Sequence, residues 1–381
     1  MAEKIKRDYI TYKDLDKIID KYEPQYIMLI SGRNDGKSYA VKERALRRYL
    51  SDKEQFTYLR RFEIDHKRSD PALYWADFFR KDSNKVSELT DGLWDRISAE
   101  GKQYFYLARK EGKNIVKGDA IGYIHALSVQ SSYKSLQFPD VTNIIFEEMV
   151  SDRFIYNEPR ILMNYVSTVL RSDIGRVWMI GNTITRINPY FREFQLTGFS
   201  KMQPGQVDVY DHTYTNDDGT ETTTRIVVHI PNITNKGASI KGMFFGSSAG
   251  MISGQHWDSK EMPHLQDKVS MYETMYEMVF DYDINATYYM RLLQHRRYPD
   301  RVLWYVEPKT TELRPGIRVI SPRLREEYGA LYTNKFVAIH PKEAAAFRLL
   351  DMGRIAYSDN LTGTEFQRAL KMSRTVDNVR E

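Results

Sequence analysis

No cysteine occurs in the 381 residues of this chain, which excludes disulfides, thiolate zinc sites and cysteine nucleophiles and suits a reducing compartment. Long apolar runs are missing too: no segment approaches the roughly 20 residues that a bilayer-spanning helix needs. Met1 to Lys17 is too charged for a signal peptide, so the sequence is read as soluble and intracellular, with no membrane partner. A dominant charge is also lacking. The 56 basic residues are nearly balanced by 51 acidic ones, which permits an anionic partner without demanding one. Neither internal repeats nor low-complexity tracts occur.

What is present is globular. Hydrophobic residues make up 41% and aromatic residues 13%, with 27 tyrosines, enough to bury sizeable cores. The length favours two domains. Thr11 to Tyr22 carries apolar residues at helical spacing, and Tyr26 to Ile30 is a continuous apolar run of strand length. Lys37 to Leu50 places Ala40, Val41, Ala45, Leu46 and Leu50 on one helical face with basic residues opposite. Further short apolar runs at Phe56 to Arg61, Tyr104 to Ala108, Ile115 to Leu127, Val141 to Phe146 and Val177 to Ile180 predict strands, with a helix over Glu158 to Leu170. This alternation predicts a wound α/β domain. A hairpin follows, Val207 to Tyr214 with Thr222 to Ile230, about an Asn216-Asp217-Asp218-Gly219 turn. Beyond Pro231 the chain turns rich in Gly, Ser and Met. The expected division is a first domain at 1–230, a linker at 231–267 and a second α/β domain at 268–381. In the last, strands are expected at Tyr276 to Ile284, Arg301 to Val306 and Ile317 to Ile320, and helices at Pro341 to Leu350 and Thr364 to Met372.

Two motifs carry chemistry. Ser31-Gly32-Arg33-Asn34-Asp35-Gly36-Lys37-Ser38 fits the phosphate-loop pattern G-x-x-x-x-G-K-[ST] except at its first position, where serine replaces glycine. Such a loop turns backbone N–H groups inward at phosphate oxygens, and Gly32 and Gly36 relax the backbone for that turn. Lys37 then reaches the β- and γ-phosphates, Ser38 offers its hydroxyl to Mg²⁺, and the helix directs its positive end at the nucleotide. The loop falls between an apolar strand and an amphipathic helix, the context the motif requires. The second motif is the apolar run Val141 to Phe146 ending in Glu147 and Glu148. One carboxylate at such a strand end holds Mg²⁺ and the next orients the attacking water. Order along the strand assigns Glu147 to the metal and Glu148 to the water. The plainer alternative is a strand end with two solvated glutamates.

These residues resemble the DNA encapsidation ATPases of small tailed phages like φ29, which are related to large terminase subunits. The resemblance is carried by the Ser-Gly-Arg-x-x-Gly-Lys-Ser loop with Arg33 and by the strand Tyr58-Leu59-Arg60-Arg61. Lys134 to Pro139 leading into Ile144-Ile145-Phe146-Glu147-Glu148, and Val177 to Tyr190, complete it. It spans roughly the first 230 residues. It implies a P-loop NTPase domain of the ASCE/terminase motor type, using ATP and Mg²⁺. It further implies a homo-oligomeric ring, a pentamer, docked on the portal of a procapsid in the host cytoplasm and pulling double-stranded DNA inward. A packaging RNA between motor and portal is implied for the φ29-like group. Within that picture Asn182 and Thr183, ending an internal strand, are coupling residues that sense the γ-phosphate; ordinary capping of the next turn is the alternative. Arg171 and Arg176 are candidates for the positive charge a ring subunit donates to its neighbour's ATP, Lys134 is a further one, and solvated surface charge is the alternative for each.

The resemblance also implies a vestigial, RNase H-like nuclease fold for the second domain, without cleavage. Asp281, Asp283, Glu307 and Asp351 or Asp359 are the carboxylates that an active nuclease would draw on. The alternating segment Tyr276 to Asp283 otherwise reads as an edge strand with polar residues facing water. Arg291, His295, Arg296, Arg297 and Arg301 form a basic cluster that suits a phosphate backbone, or else a solvated helix end. Two other functions compete: a complete terminase with an active endonuclease, and a DNA-independent phosphotransferase or nucleotide switch.

Overall fold

The computed structural model describes residues 9–32, 35–67, 70–80, 83–101, 103–151, 153–155, 157–171, 175–182, 187–233, 260–283, 286–312, 314–321, 331–332 and 341–375. Arg33, Asn34 and Thr183, and residues 234–259 of the expected linker, lie outside the described residues. Contacts divide the chain into two compact units, one mainly of Met1–Thr183 and Lys201–Met243, the other mainly of Ile184–Ser200 and Gln255–Glu381. Residues 184–200, placed in the first domain by sequence pattern, thus group with the second unit.

The first unit opens with α1 (Tyr12–Tyr22), where Thr11 and Asp14 form a capping box that satisfies the helix's first donors. Then come β1 (Tyr26–Ser31), α2 (Lys37–Asp52), β2 (Gln55–Arg60), the short α3 (Ile64–Lys67) and a 3₁₀ turn at Pro71–Phe78. The two-residue strands β3 (Phe79–Arg80) and β4 (Ser83–Asn84) precede α4 (Lys85–Leu89). An antiparallel extension follows, β5 (Arg96–Glu100), β6 (Tyr104–Glu111) and β7 (Asn114–Ala126), then β8 (Val141–Glu147), α5 (Glu158–Val169) and β9 (Arg176–Asn182). The hairpin β10 (Val207–Thr215) and β11 (Glu221–His229) ends the unit's sheet, while α6 (Pro189–Glu193) belongs to the second unit.

These strands form one nine-stranded sheet in the order β10-β11-β1-β9-β8-β2-β7-β6-β5. The central six are parallel; β10, β6 and β5 are antiparallel additions at the edges. Every residue of β1 is buried, as expected of a parallel strand covered on both faces. On one face α1, α2 and the 71–78 turn bury Leu15, Val41, Leu46, Trp75 and Phe78 against Ile27, Leu29 and Ile145. On the other face His125 of β7 meets Tyr165 of α5, Nδ1 to Oη, at 2.7 Å. Parallel order aligns the C-terminal ends of β1, β9 and β8, so whatever follows those strands gathers at one edge.

The second unit holds β12 (Tyr272–Asp283), β13 (Ala286–His295), β14 (Val302–Pro308), β15 (Arg318–Ser321), β16 (Leu331–Tyr332) and β17 (Ile355–Tyr357), in the order β16-β15-β12-β13-β14-β17. Helix Asn360–Thr375 packs Phe366 and Ala369 on Met278, Phe280, Tyr288 and Met290. Residues before position 268 join this unit: Met262 lies in its core, and its N–H donates to Asn360 Oδ1. The expected edge strand over Tyr276 to Asp283 is instead internal, paired to β13 on one side and β15 on the other. Its polar residues do not simply face water, for Asp281 and Asp283 are only 5% and 3% exposed. Alternation alone cannot reveal a second neighbouring strand supplied 35 residues later in the chain.

Candidate functional site

The segment from Ser31 to Ser38 joins the buried end of β1 to the start of α2. Gly36 caps α2 with φ +84°, and a Cβ there would meet Tyr9 Cβ at 3.1 Å and Ile10 O at 3.3 Å. Glycine is required at this position on both counts. Ser31 instead ends a strand, so the serine that breaks the loop pattern costs no backbone strain. Its side chain is used: Lys37 Nζ donates to Ser31 Oγ at 3.0 Å, to Ser31 O at 3.2 Å and to Gly32 O at 2.6 Å. Asn182 Oδ1 lies 3.4 Å from the same ammonium, because β9 pairs with β1 in a register that sets Asn182 beside Ser31. A buried cation and a helix N-terminus facing one loop favour an anion.

Across β9 lies the end of β8. Glu147 is buried, and burial, as the largest influence, raises its pKa above the ordinary carboxylate value, opposed by hydrogen bonds from Ser38 and Tyr74 and by the charges of Lys42 and Arg60. The neighbouring Glu148 is the reverse: its side chain is 59% exposed and its φ is +57°. A glutamate held in the left-handed region costs about 1 kcal/mol or more and marks a place where the surroundings dictate the backbone. Arg61 is the main constraint. Its side chain is 4% exposed, its Nε donates to both oxygens of the wholly buried Glu158 at 2.8 and 3.0 Å, and its Nη1 and Nη2 donate to Glu148 O and Met149 O at 2.9 and 3.0 Å. Gly181 of β9 lets this turn approach, since a Cβ there would lie 2.7 Å from Val150 Cγ2. Arg60, one residue earlier, forms an ion pair with Glu148 at 2.7 Å.

A cavity of about 470 Å³ opens beside the carboxylates, lined among others by Ser38, Arg60, Tyr74, Arg80, Glu147 and Glu148. The structure therefore brings together Ser31, Gly32, Gly36, Lys37, Ser38, Asn182, Glu147 and Glu148 from three strand ends. It does not bring Arg171, Arg176 or Lys134 to them. Arg176 begins β9, a strand's length or ~20 Å from the loop edge in its own chain. Arg171 donates to Thr168 O and, through Nη2, to Lys134 O at 3.2 Å, which fixes these exposed residues to each other. Sequence reasoning missed Lys42, inside α2, and Tyr74, Asp77 and Arg80, in the 71–78 turn and the short strand after it, whose placement leaves no local pattern; Arg60 and Arg61 gave a signal, two charges closing an apolar strand.

In the second unit the basic residues separate. Arg291 sits mid-strand, paired with Glu307 at 3.0 Å between the rings of Tyr289 and Tyr305. Arg296, Arg297 and Arg301 belong to the β13–β14 turn, a hairpin rather than a helix end. Buried His295 organises that turn, its Nδ1 accepting from the N–H groups of Arg297 and Tyr298 while Nε2 lies 3.3 Å from Asp267. The candidate nuclease carboxylates are likewise engaged: Asp281 accepts from Thr287 Oγ1 at 2.9 Å, and Asp359 accepts from Thr362 N–H and hydroxyl at the start of the last helix. Among the described residues no group of three or more acidic or histidine side chains is placed to hold a metal ion. None of the described helices is long and apolar enough to cross a membrane.

Fold and site together define a mixed α/β protein with large sheets, its candidate anion loop facing a carboxylate pair across one strand. The chain belongs to the podovirus DNA encapsidation protein (Gp16) family, whose model matches residues 12–214, more than half of it. That is the family the loop and strand motifs resemble. The DNA packaging protein of Bacillus phage B103 is 31% identical over 173 residues, 44% of this chain and 47% of that protein. The DNA packaging protein of Bacillus phage phi29 is 29% identical over 189 residues, 46% and 50% respectively. The chain spans about half the length of the curated relatives it matches. The bacteriophage Phi-29 viral genome packaging motor assembly includes a chain with 20% identity and a TM-score of 0.49, covering 96% of this chain and all 100% of that one.

Proposed function

We propose that this chain is an ATP-driven motor that moves double-stranded viral DNA into a preformed capsid. The observation that carries the reading is the placement of Lys37 and Ser38 opposite Glu147 and Glu148, with a single strand, β9, between them. A strand inserted between the loop strand and the acidic strand is the hallmark of the ASCE division of P-loop NTPases, and it supports that assignment for the first unit. Lys37 compensates phosphate charge, and the start of α2 adds its dipole. Glu148 orients the attacking water, and Asn182, touching Lys37, senses the γ-phosphate. Mg²⁺ fits the donors present: Ser38 and Glu147 would hold it through hard oxygens beside a bound nucleotide, so no protein-built acidic cage is needed. When bound, it supplies charge neutralisation of the phosphates.

The nucleotide lies at a subunit interface of a homo-oligomeric ring, and we read the ring as a pentamer. The ~20 Å separating Arg176 from its own loop supports Arg171, Arg176 or Lys134 acting on a neighbour's site. The portal of the procapsid and a packaging RNA are the proposed partners, in the host cytoplasm. The second unit is read as an RNase H-like fold without cutting activity, supported by the engagement of Asp281, Glu307 and Asp359 with other side chains. Its β13–β14 turn, with Arg296, Arg297 and Arg301, is the proposed nucleic-acid contact. The test is ATP hydrolysis at graded protein concentrations with and without double-stranded DNA. Hydrolysis that rises with DNA and vanishes in Lys37→Ala and Glu148→Gln supports the motor; hydrolysis indifferent to DNA moves the reading to a phosphotransferase or nucleotide switch.

A further inference from the structure

Glu147 stands where the carboxylate beside a nucleotide-bound metal is ordinarily the shorter aspartate. The added methylene gives the group one more rotatable bond, and a ligand that must point one way loses that freedom only if something holds it. Tyr74 does so: its phenol donates to Glu147 Oε1 at 3.0 Å. The ring is itself fixed from several sides. It stacks on Tyr58 with centroids 4.0 Å apart and planes at 21°, and it meets Trp75 edge-on. Lys42, 3% exposed, donates to Tyr74 O and to Asp77 Oδ1, both at 2.6 Å, and places its ammonium 4.7 Å from the Tyr74 ring. Asp70 starts the turn that carries the ring, accepting from Ala72 N–H at 3.0 Å. Ser38 and Lys42 lie one turn apart on α2, hence on the same helical face. One face of α2 therefore supplies the hydroxyl that hydrogen-bonds to Glu147 and the cation that seats the tyrosine bonded to it.

We infer that Tyr74 is a positioning residue of the metal–nucleotide site, orienting the Glu147 carboxylate through its phenolic O–H and leaving the other carboxylate lone pairs for the metal side. The inference rests on the ATPase reading above and deepens it. A hydrogen bond to a charged group is worth ~10-fold or more in an equilibrium. Tyr74→Phe removes the one oxygen and keeps the stacking. In the full-length protein, binding of a fluorescent ATP analogue followed by anisotropy is expected to weaken ~10-fold in Mg²⁺ and to stay within ~2-fold of the parent in EDTA. The Mg²⁺ concentration for half-maximal hydrolysis rises by a similar factor, while kcat at saturating Mg²⁺ changes little. In a Glu147→Ala background, which binds nucleotide without that carboxylate, adding Tyr74→Phe has no further effect on the Mg²⁺ term. Equal weakening in Mg²⁺ and EDTA, or an undiminished effect in the Glu147→Ala background, overturns the inference. If the parent shows no Mg²⁺-dependent nucleotide binding, the ATPase reading falls first and this one with it; if the parent does and Tyr74→Phe matches it, only the role of Tyr74 falls.

Discussion

Removing Arg61 tests whether the backbone of Glu148 is held from beneath. In Arg61→Met the Glu158 carboxylate, 0% exposed, keeps the N–H of Ile155 at 2.8 Å but loses its countercharge. Breaking one side of such a buried pair costs ~3–5 kcal/mol. The carbonyls of Glu148 and Met149 lose their donors as well. For a unit of this size each kcal/mol moves the thermal midpoint by ~2–4 °C, so a fall of ~6–20 °C by circular dichroism is expected. Replacing both partners, Arg61→Met with Glu158→Leu, removes the stranded charge and recovers at least half of that loss. Nucleotide hydrolysis does not recover with it, because Glu148 still lacks the clamp that imposes its left-handed φ. A single variant melting within ~2 °C of the parent, or a double variant no more stable than the single, would refute this reasoning.

Gly36→Ala, which must accept φ +84° and a 3.1 Å contact with Tyr9, abolishes measurable nucleotide binding, whereas Ser31→Gly, which removes one hydrogen bond from the Lys37 ammonium, weakens it by only ~10-fold; isothermal titration separates the two. His125 has its pKa lowered to about 3 by burial, so it stays neutral when folded while the unfolded residue charges below ~6.5. Stability therefore declines as pH falls from ~6.5 towards about 3, by up to ~1.4 kcal/mol per pH unit from this residue. Urea melts of His125→Gln are expected to show a shallower decline over that window, and an unchanged slope would rule out this source. Arg296→Ala, Arg297→Ala and Arg301→Ala each weaken nucleic-acid binding alike for all sequences and reduce the salt slope by ~1. Arg291→Ala instead lowers stability, since it strands Glu307, and leaves the salt slope alone.

Much of the first unit was legible in the sequence because its signals are local. A six-residue apolar run, the Gly-Lys-Ser turn and an amphipathic helix are contiguous, and the family match covers the same stretch. The β5–β6–β7 extension was only partly legible: the β6–β7 hairpin announces itself by its Gly112-Lys113 turn, but β5, RISAE, has little strand character outside its pairing with β6. The internal position of β12 was lost for the same reason, its neighbour β15 lying far along the chain.

The sequence by itself determined which residue types stand at the loop and at the acidic strand end, since spacing and strand-end position are one-dimensional properties. It also determined that no thiol chemistry is available. Only the tertiary structure decided that Asn182 touches Lys37, that Arg61 holds Glu148 from beneath and that Tyr74 grips Glu147, 73 residues away. Those contacts arise where parallel strands distant in the chain end side by side, and the order of strands across a sheet is set by packing of both faces together, not by any one segment's pattern.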